Sequence, residues 1–210
     1  MRFLVFVFSA CLLFLISCDS TPSNTIETKD VVEQQEAAPL YTVSGTFPDH
    51  LNKEVVFLKV NRRGADTLAK GMTDDSGAYS LSFEAKPNVL YNLICDNIMA
   101  MVFTDANEIG VGYGDHDWHF ENSRETQLYY DYSNLNSTFV KGFSALQKEY
   151  QVAVESKNEA EIAQIQITYD SLYKASQSKQ EEFILKNSPS YTAYMGLLDL
   201  LKRQNVGSHT

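Results

Sequence analysis

The stretch Asp74-Asp75-Ser76-Gly77-Ala78-Tyr79-Ser80-Leu81-Ser82-Phe83 sets the architecture of the first half of this chain. Its first four residues read as a turn, because aspartate side chains bond nearby backbone amides and glycine tolerates a positive φ. The rest alternates: Tyr79, Leu81 and Phe83 fall on one side and serines on the other, the period of a half-buried strand. The same period recurs in both directions. Upstream, Tyr41, Val43 and Gly45 alternate with Thr42, Ser44 and Thr46, residues 55–60 read as a more buried strand, and 66–72 as a third. Downstream, 90–95, 99–104 and 109–112 add three more. Short strands with frequent turns and no helical period predict an antiparallel β-sandwich-like domain, or a strongly curved sheet, over 40–132.

Beyond Tyr132 the period becomes helical. Leu135, Phe139, Phe143, Leu146, Tyr150 and Val154 step by three or four. Asn158 and Glu161 form a capping box for a second helix, with Ile162, Ile165, Tyr169 and Leu172 on its buried face. Ser188-Pro189 reads as cap and first position of a third, which runs through Tyr194, Leu197, Leu198 and Leu201. The expected fold is α+β: the sandwich-like domain, then about three antiparallel helices over 133–204, then a tail at 205–210.

The N-terminus carries an address rather than a fold. One positive charge, Arg2, precedes an almost unbroken apolar run that closes in Leu15-Ile16-Ser17-Cys18. The run is shorter than the about 20 residues a bilayer span needs, and a small residue before cysteine is a lipobox. Residues 1–17 are expected to be a lipoprotein signal peptide, Cys18 the lipidated first residue, and 18–39 a polar, flexible tether. This predicts a cell-envelope lipoprotein on the periplasmic face of the inner or outer membrane. Asp19 and the absence of a dense acidic cluster after Cys18 leave the leaflet, and surface exposure, open.

Composition narrows the functions. The formal charge is −10, and loss of Arg2 with the signal makes it −11. An acidic chain without a Lys/Arg stripe repels phosphate backbones, so no nucleic-acid partner is expected. Of three cysteines, Cys11 leaves with the signal and Cys18 goes to lipid, which leaves Cys95 alone in an apolar run. One thiol closes no internal disulfide, and there is no C-x-x-C. Cys95 is read as a small buried hydrophobe.

Candidate sites are few. Asp115-His116-Asp117-Trp118-His119 is the densest set of metal-ligand types. Asp115, His116 and His119 are its candidates, weighed against a polar loop with Trp118 packed on the sheet edge, and the loop is preferred because nearby strand ligands alone do not complete a zinc shell. Gly110, Gly112 and Gly114 alternate within a β region and lead into acidic residues, so they read as a strand rather than a phosphate loop. Asp74 and Asp75 lack the acidic repeat of a calcium loop and read as the turn. Tyr113, Trp118, Tyr129 and Tyr130 are the candidate ligand-binding aromatics. No catalytic set and no cofactor emerge.

The order of features resembles the N-terminal region of TlpA/ResA-like thiol-disulfide oxidoreductase lipoproteins. The resemblance rests on Tyr41-Thr42-Val43-Ser44-Gly45-Thr46, on 74–83, on Phe103-Thr104-Asp105-Ala106-Asn107-Glu108-Ile109, and on Glu182-Phe183-Ile184-Leu185-Lys186-Asn187-Ser188-Pro189-Ser190, within 40–200. It implies a lipobox, a β-rich domain of unknown function and helices, followed in the family by a thioredoxin fold with W-C-x-x-C. No residue here matches that motif, so no catalytic role is carried over. The chain is expected to be either a shortened relative or the N-terminal module used alone. The functional expectation is a lipid-anchored, non-catalytic envelope protein, equivalent to the accessory, partner-binding half of a thiol-disulfide interchange lipoprotein. Its partners would be the membrane, through its lipid, and a periplasmic protein. The alternatives are a ligand-binding lipoprotein that captures a glycan or peptide with its aromatics, and a metal-dependent hydrolase at Asp115, His116 and His119.

Overall fold

A computed structural model describes residues 38–207, with side chains through residue 202. The signal peptide expected over 1–17, the acylation at Cys18, nearly all of the tether and the last residues of the tail lie outside the described residues. Eight strands come first: β1 (Leu40–Thr46), β2 (Glu54–Asn61), β3 (Gly64–Met72), β4 (Ala78–Glu84), β5 (Leu90–Cys95), β6 (Ile98–Phe103), β7 (Glu108–Gly114) and β8 (Asp117–Glu121). Three helices follow: α1 (Arg124–Glu155), α2 (Glu159–Asn187) and α3 (Tyr191–Gly207). The fold is α+β, with a β region followed by helices.

The strands form two four-stranded sheets, ordered β4-β1-β7-β8 and β3-β2-β5-β6. Neighbours are antiparallel except β1 and β7, which run parallel with Val43 opposite Ile109. That pair departs from the all-antiparallel expectation, and nothing local in the sequence encodes it, since its partners lie far apart in the chain. The inward residues of both sheets form one core that includes Val43, Phe57, Leu81, Phe83, Leu93, Val102, Ile109 and Val111. Phe57 of β2 stacks on Phe83 of β4 across the two layers at 4.2 Å, and burying such a ring stabilises by about 1.5–3 kcal/mol.

The 74–77 corner carries the chain from one sheet to the other. Asp74 Oδ1 accepts from the backbone N–H of Ser76 and of Ala78 and from the Ser76 hydroxyl. Gly77 adopts φ +78°, and a Cβ there would run into the Phe47 carbonyl. Gly45 is dictated differently: a Cβ on this central strand would collide with the carbonyl of Val111. The acidic turn and the glycine-bearing strand at 109–114 are as expected.

Four boundaries differ from the sequence reading. Residues 117–119, read as part of a polar loop, belong to the edge strand β8, with Tyr113 opposite Trp118 and Val111 opposite Phe120. Asp115 and His116, both at positive φ, make the tight connection to it. Helix α1 starts at Arg124 rather than after Tyr132, capped by Ser123. Helix α3 starts at Tyr191 with Ser190 as its cap, Oγ accepting from Ala193 N–H, so Ser188-Pro189 precedes it. It also continues to Gly207, past the expected limit at 204. The cap on α2 is as expected in one half: Asn158 Oδ1 accepts from Glu161 N–H, but the Glu161 carboxylate returns to the Asn158 amide side chain rather than its backbone.

Candidate functional site

The best-built polar constellation lies where the first turn of α1 meets the sandwich. Edge strand β6 would leave its outward N–H groups unpaired, an exposed template for a foreign strand. Helix α1 closes that edge with side chains. Thr126 Oγ1 accepts from Phe103 N–H at 2.9 Å, and the Tyr130 hydroxyl accepts from Met101 N–H at 3.0 Å. The Tyr129 hydroxyl meets Met101 Sδ at 2.9 Å. Burial pushes the Tyr130 phenol above its ordinary range, with the Met101 N–H opposing and Tyr129 adding to the rise.

Asp105, in the β6–β7 loop, anchors the start of this helix. Its Oδ2 accepts from Glu125 N–H and its Oδ1 from the Ser123 hydroxyl, which itself caps Thr126. A carboxylate at a helix N-terminus also faces the positive end of the dipole. Glu125 is buried and reaches the other way. One carboxylate oxygen accepts from Thr192 N–H at the start of α3, and the other pairs with Arg124 at 3.5 Å. The Arg124 guanidinium donates to the carbonyls of Asn187 and Pro189. One helical turn thus ties the sandwich, the end of α2 and the start of α3 together. Beside it lies a cleft of about 520 Å³ walled by Asn88, Asp105, Arg124, Tyr191 and Tyr194.

The nominated aromatics are half-buried and packed in a row. Tyr113 lies 4.7 Å from Trp118, Trp118 6.3 Å from Tyr130, and Tyr130 5.6 Å from Tyr129, with Phe120 4.5 Å from Tyr130. They fasten the β7–β8 hairpin to α1. Tyr113 borders a trough on the outer face of its sheet, while Tyr129 faces a cleft between α1 and α3, so the two look into different hollows. Asp115 and His116 sit at an exposed hairpin tip and His119 stands opposite Gly112 on β8. Among the described residues no three His, Cys, Asp or Glu side chains come together as a metal site requires. Asp75, the other acid of the corner, accepts from the Asn52 amide.

No protein-family model and no curated protein matches this chain. Among solved structures, a 9R-lipoxygenase from Cyanothece PCC8801 is similar at 14% identity over 40% of this chain, with a TM-score of 0.26. The match spans 17% of the lipoxygenase chain and carries no argument about activity.

Sequence reasoning missed the anchoring acids. Asp105 carries no local signal, since its partners are 18 and 20 residues away. Ser123 followed by Glu125 in the first turn is a helix-start pattern that would have placed α1 correctly.

The one described thiol is enclosed in the sandwich. Cys95 is the single cysteine among the described residues and is buried in the core. Burial raises its pKa, Asp96 adds to the rise and Lys53 opposes it.

Proposed function

We propose that this chain is a lipid-anchored, non-catalytic envelope protein that serves as the partner-binding module of a thiol-disulfide interchange system, docking a thioredoxin-fold domain on α3. The observation that carries the reading is the character of α3. Its inner side seats Ala193, Gly196 and Leu200 against the hairpin of α1 and α2, yet its outer side presents Tyr191, Tyr194, Leu197, Leu198 and Leu201 to solvent. A contiguous stripe of large exposed apolar side chains on a helix marks an interaction surface. In the family that this chain resembles, the thioredoxin fold follows this last helix, which makes α3 the natural seat for such a domain. A raised thiol pKa and burial of Cys95 fit a supporting role, because exchange needs an accessible thiolate and a resolving partner.

Two measurements test the reading. Purified mature protein should show no dithiol-dependent reduction of insulin, and turnover would sink the non-catalytic assignment. A photo-crosslinker at Leu198 in cells should trap a polypeptide that mass spectrometry identifies as carrying C-x-x-C in a thioredoxin fold. Crosslinks only to other classes of protein, or none, would refute the docking assignment.

A further inference from the structure

The two sheets differ on the sides they turn away from the core. In the sheet β4-β1-β7-β8 the outer rows are polar. Ser80, Ser44, Gly110 and Glu121 stand side by side, and Ser82, Thr42 and Glu108 form the next row. That is the apolar-in, polar-out alternation of a sheet with one wet face. In the sheet β3-β2-β5-β6 the alternation fails. Val56, Ile94 and Met99 share one outer row, and Leu58 and Met101 flank Asn92 in another. Val60 continues this side of β2 toward its hairpin tip. These side chains alternate with Val55, Phe57, Leu93, Ala100 and Val102, which fill the core. Met101, met by Tyr129, marks the border with α1. Val60 and Met99 are 60% and 49% exposed, and Met72, at the end of β3, is 58%. Exposed apolar side chains grouped on an outer face mark a contact surface.

Charge indicates what that surface meets. The chain is −10 overall, yet the β2–β3 hairpin carries Lys59, Arg62, Arg63 and Lys70 against Glu54 and Asp66, a net +2 that leaves −12 for the rest. Two of these bases are already placed. Lys70 lies on the outer face opposite Val56 and pairs with Glu54 at 3.3 Å, and Lys59 lies on the other side of β2, opposite Asp66. Arg62 and Arg63 form the exposed tip beside Val60, and no ion pair engages either among the described residues. The tip keeps its shape without their side chains: Asn61 Oδ1 accepts from Arg63 N–H, and the Asn61 amide donates to Asp66. Aliphatic and thioether side chains beside unpaired guanidinium groups suit a surface made of acyl chains and phosphates. We propose that the outer face of β3-β2-β5-β6 rests on an anionic phospholipid surface, with Arg62 and Arg63 on the phosphates and Val60 and Met99 among the headgroups. The acidic remainder of the molecule is repelled by such a surface, so charge also selects the orientation. The inference rests neither on docking at α3 nor on acylation of Cys18. A lipid at Cys18, 22 residues before Leu40, would bring the face to the same surface.

The test uses the mature chain with Cys18→Ser, which removes the acyl anchor and leaves the face alone to bind. The protein should sediment with vesicles of phosphatidylglycerol and phosphatidylcholine, and not with pure phosphatidylcholine. Binding should fall as salt shortens the Debye length from about 10 Å at 0.1 M to about 3 Å at 1 M. Arg62→Gln/Arg63→Gln should weaken partitioning by about tenfold or more. Val60→Asp and Met99→Asp should each weaken it as well. Ser82→Asp on the opposite sheet and Leu198→Asp on α3 change the net charge by the same amount and should leave binding as it was. Circular dichroism checks that each variant is folded. Absence of binding to the mixed vesicles overturns the proposal. So does binding that survives Arg62→Gln/Arg63→Gln, or that is lost equally in Ser82→Asp. A dimer in light scattering that Val60→Asp dissociates would assign the face to a second copy, and overturns it too.

Discussion

Thr126 holds more of the molecule together than its size suggests. Its hydroxyl accepts the Phe103 N–H inside the seam between sandwich and helix, and leaving that donor without a partner costs about 1–3 kcal/mol. Thr126→Val should lower the unfolding free energy by that amount, read from urea denaturation, while Thr126→Ser, which keeps the acceptor, should recover most of the loss. Asp74 makes a prediction in pH. Hydrogen bonds from the Ser76 hydroxyl and the Ala78 N–H hold its carboxyl below the usual aspartate range. With the folded pKa depressed, the corner's contribution is complete at neutral pH and fades as pH falls through that lowered value. Asp74→Asn should therefore be less stable than the parent near neutrality, and the gap should close in acid when urea midpoints are compared across pH. Cys95 should behave as a sealed thiol. In the Cys18→Ser mature chain, Ellman's reagent should find no fast-reacting sulfhydryl until denaturant is added, then one equivalent.

At the scale of elements, α3 has a buried apolar side and an exposed one. Leu200, on its inner side, is 5% exposed, and Leu200→Ala should cost about 2–5 kcal/mol. Leu201→Lys, on the outer side, should change stability by no more than about 0.5 kcal/mol, a contrast that thermal denaturation reads directly. How far such elements were legible in the sequence depended on the range of the forces behind them. Strands with strict alternation, such as 79–83, and the turn at 74–77 were readable because their causes are local. Strand β8 was not, because Asp115-His116 makes its tight turn without the usual Asn-Gly signal and the polar residues of 117–121 hid Trp118 and Phe120. The start of α1 was obscured for the opposite reason. Its first turns spend Thr126, Tyr129 and Tyr130 on the edge of β6, so the residues that face the sandwich do not keep the period of the later stripe. The four aromatics nominated for ligand binding pack in a row that joins two elements, a relation that appears only when hairpin and helix are brought side by side.

At the scale of the whole molecule, stability should fall along the hairpin. Its sandwich end is fixed by the Asp105, Thr126 and Glu125 bonds and by α3, whereas the distal half has only the contact between two helices. Hydrogen exchange should accordingly be slowest for amides of β1, β2 and β5, slow at the start of α1, and fastest within the helices over about 145–165 at dilution. Strong protection at that tip in a dilute monomer would contradict this gradient.

The parallel pairing of β1 with β7 has a consequence for biogenesis. The first strand waits at the middle of its layer for a neighbour that is synthesised more than sixty residues later. A nascent segment that stops short of Gly114 exposes an open backbone seam and has no native way to shield it. Fragments released after ending short of β7 should cling to holdase chaperones, and released fragments that run through β8 should not.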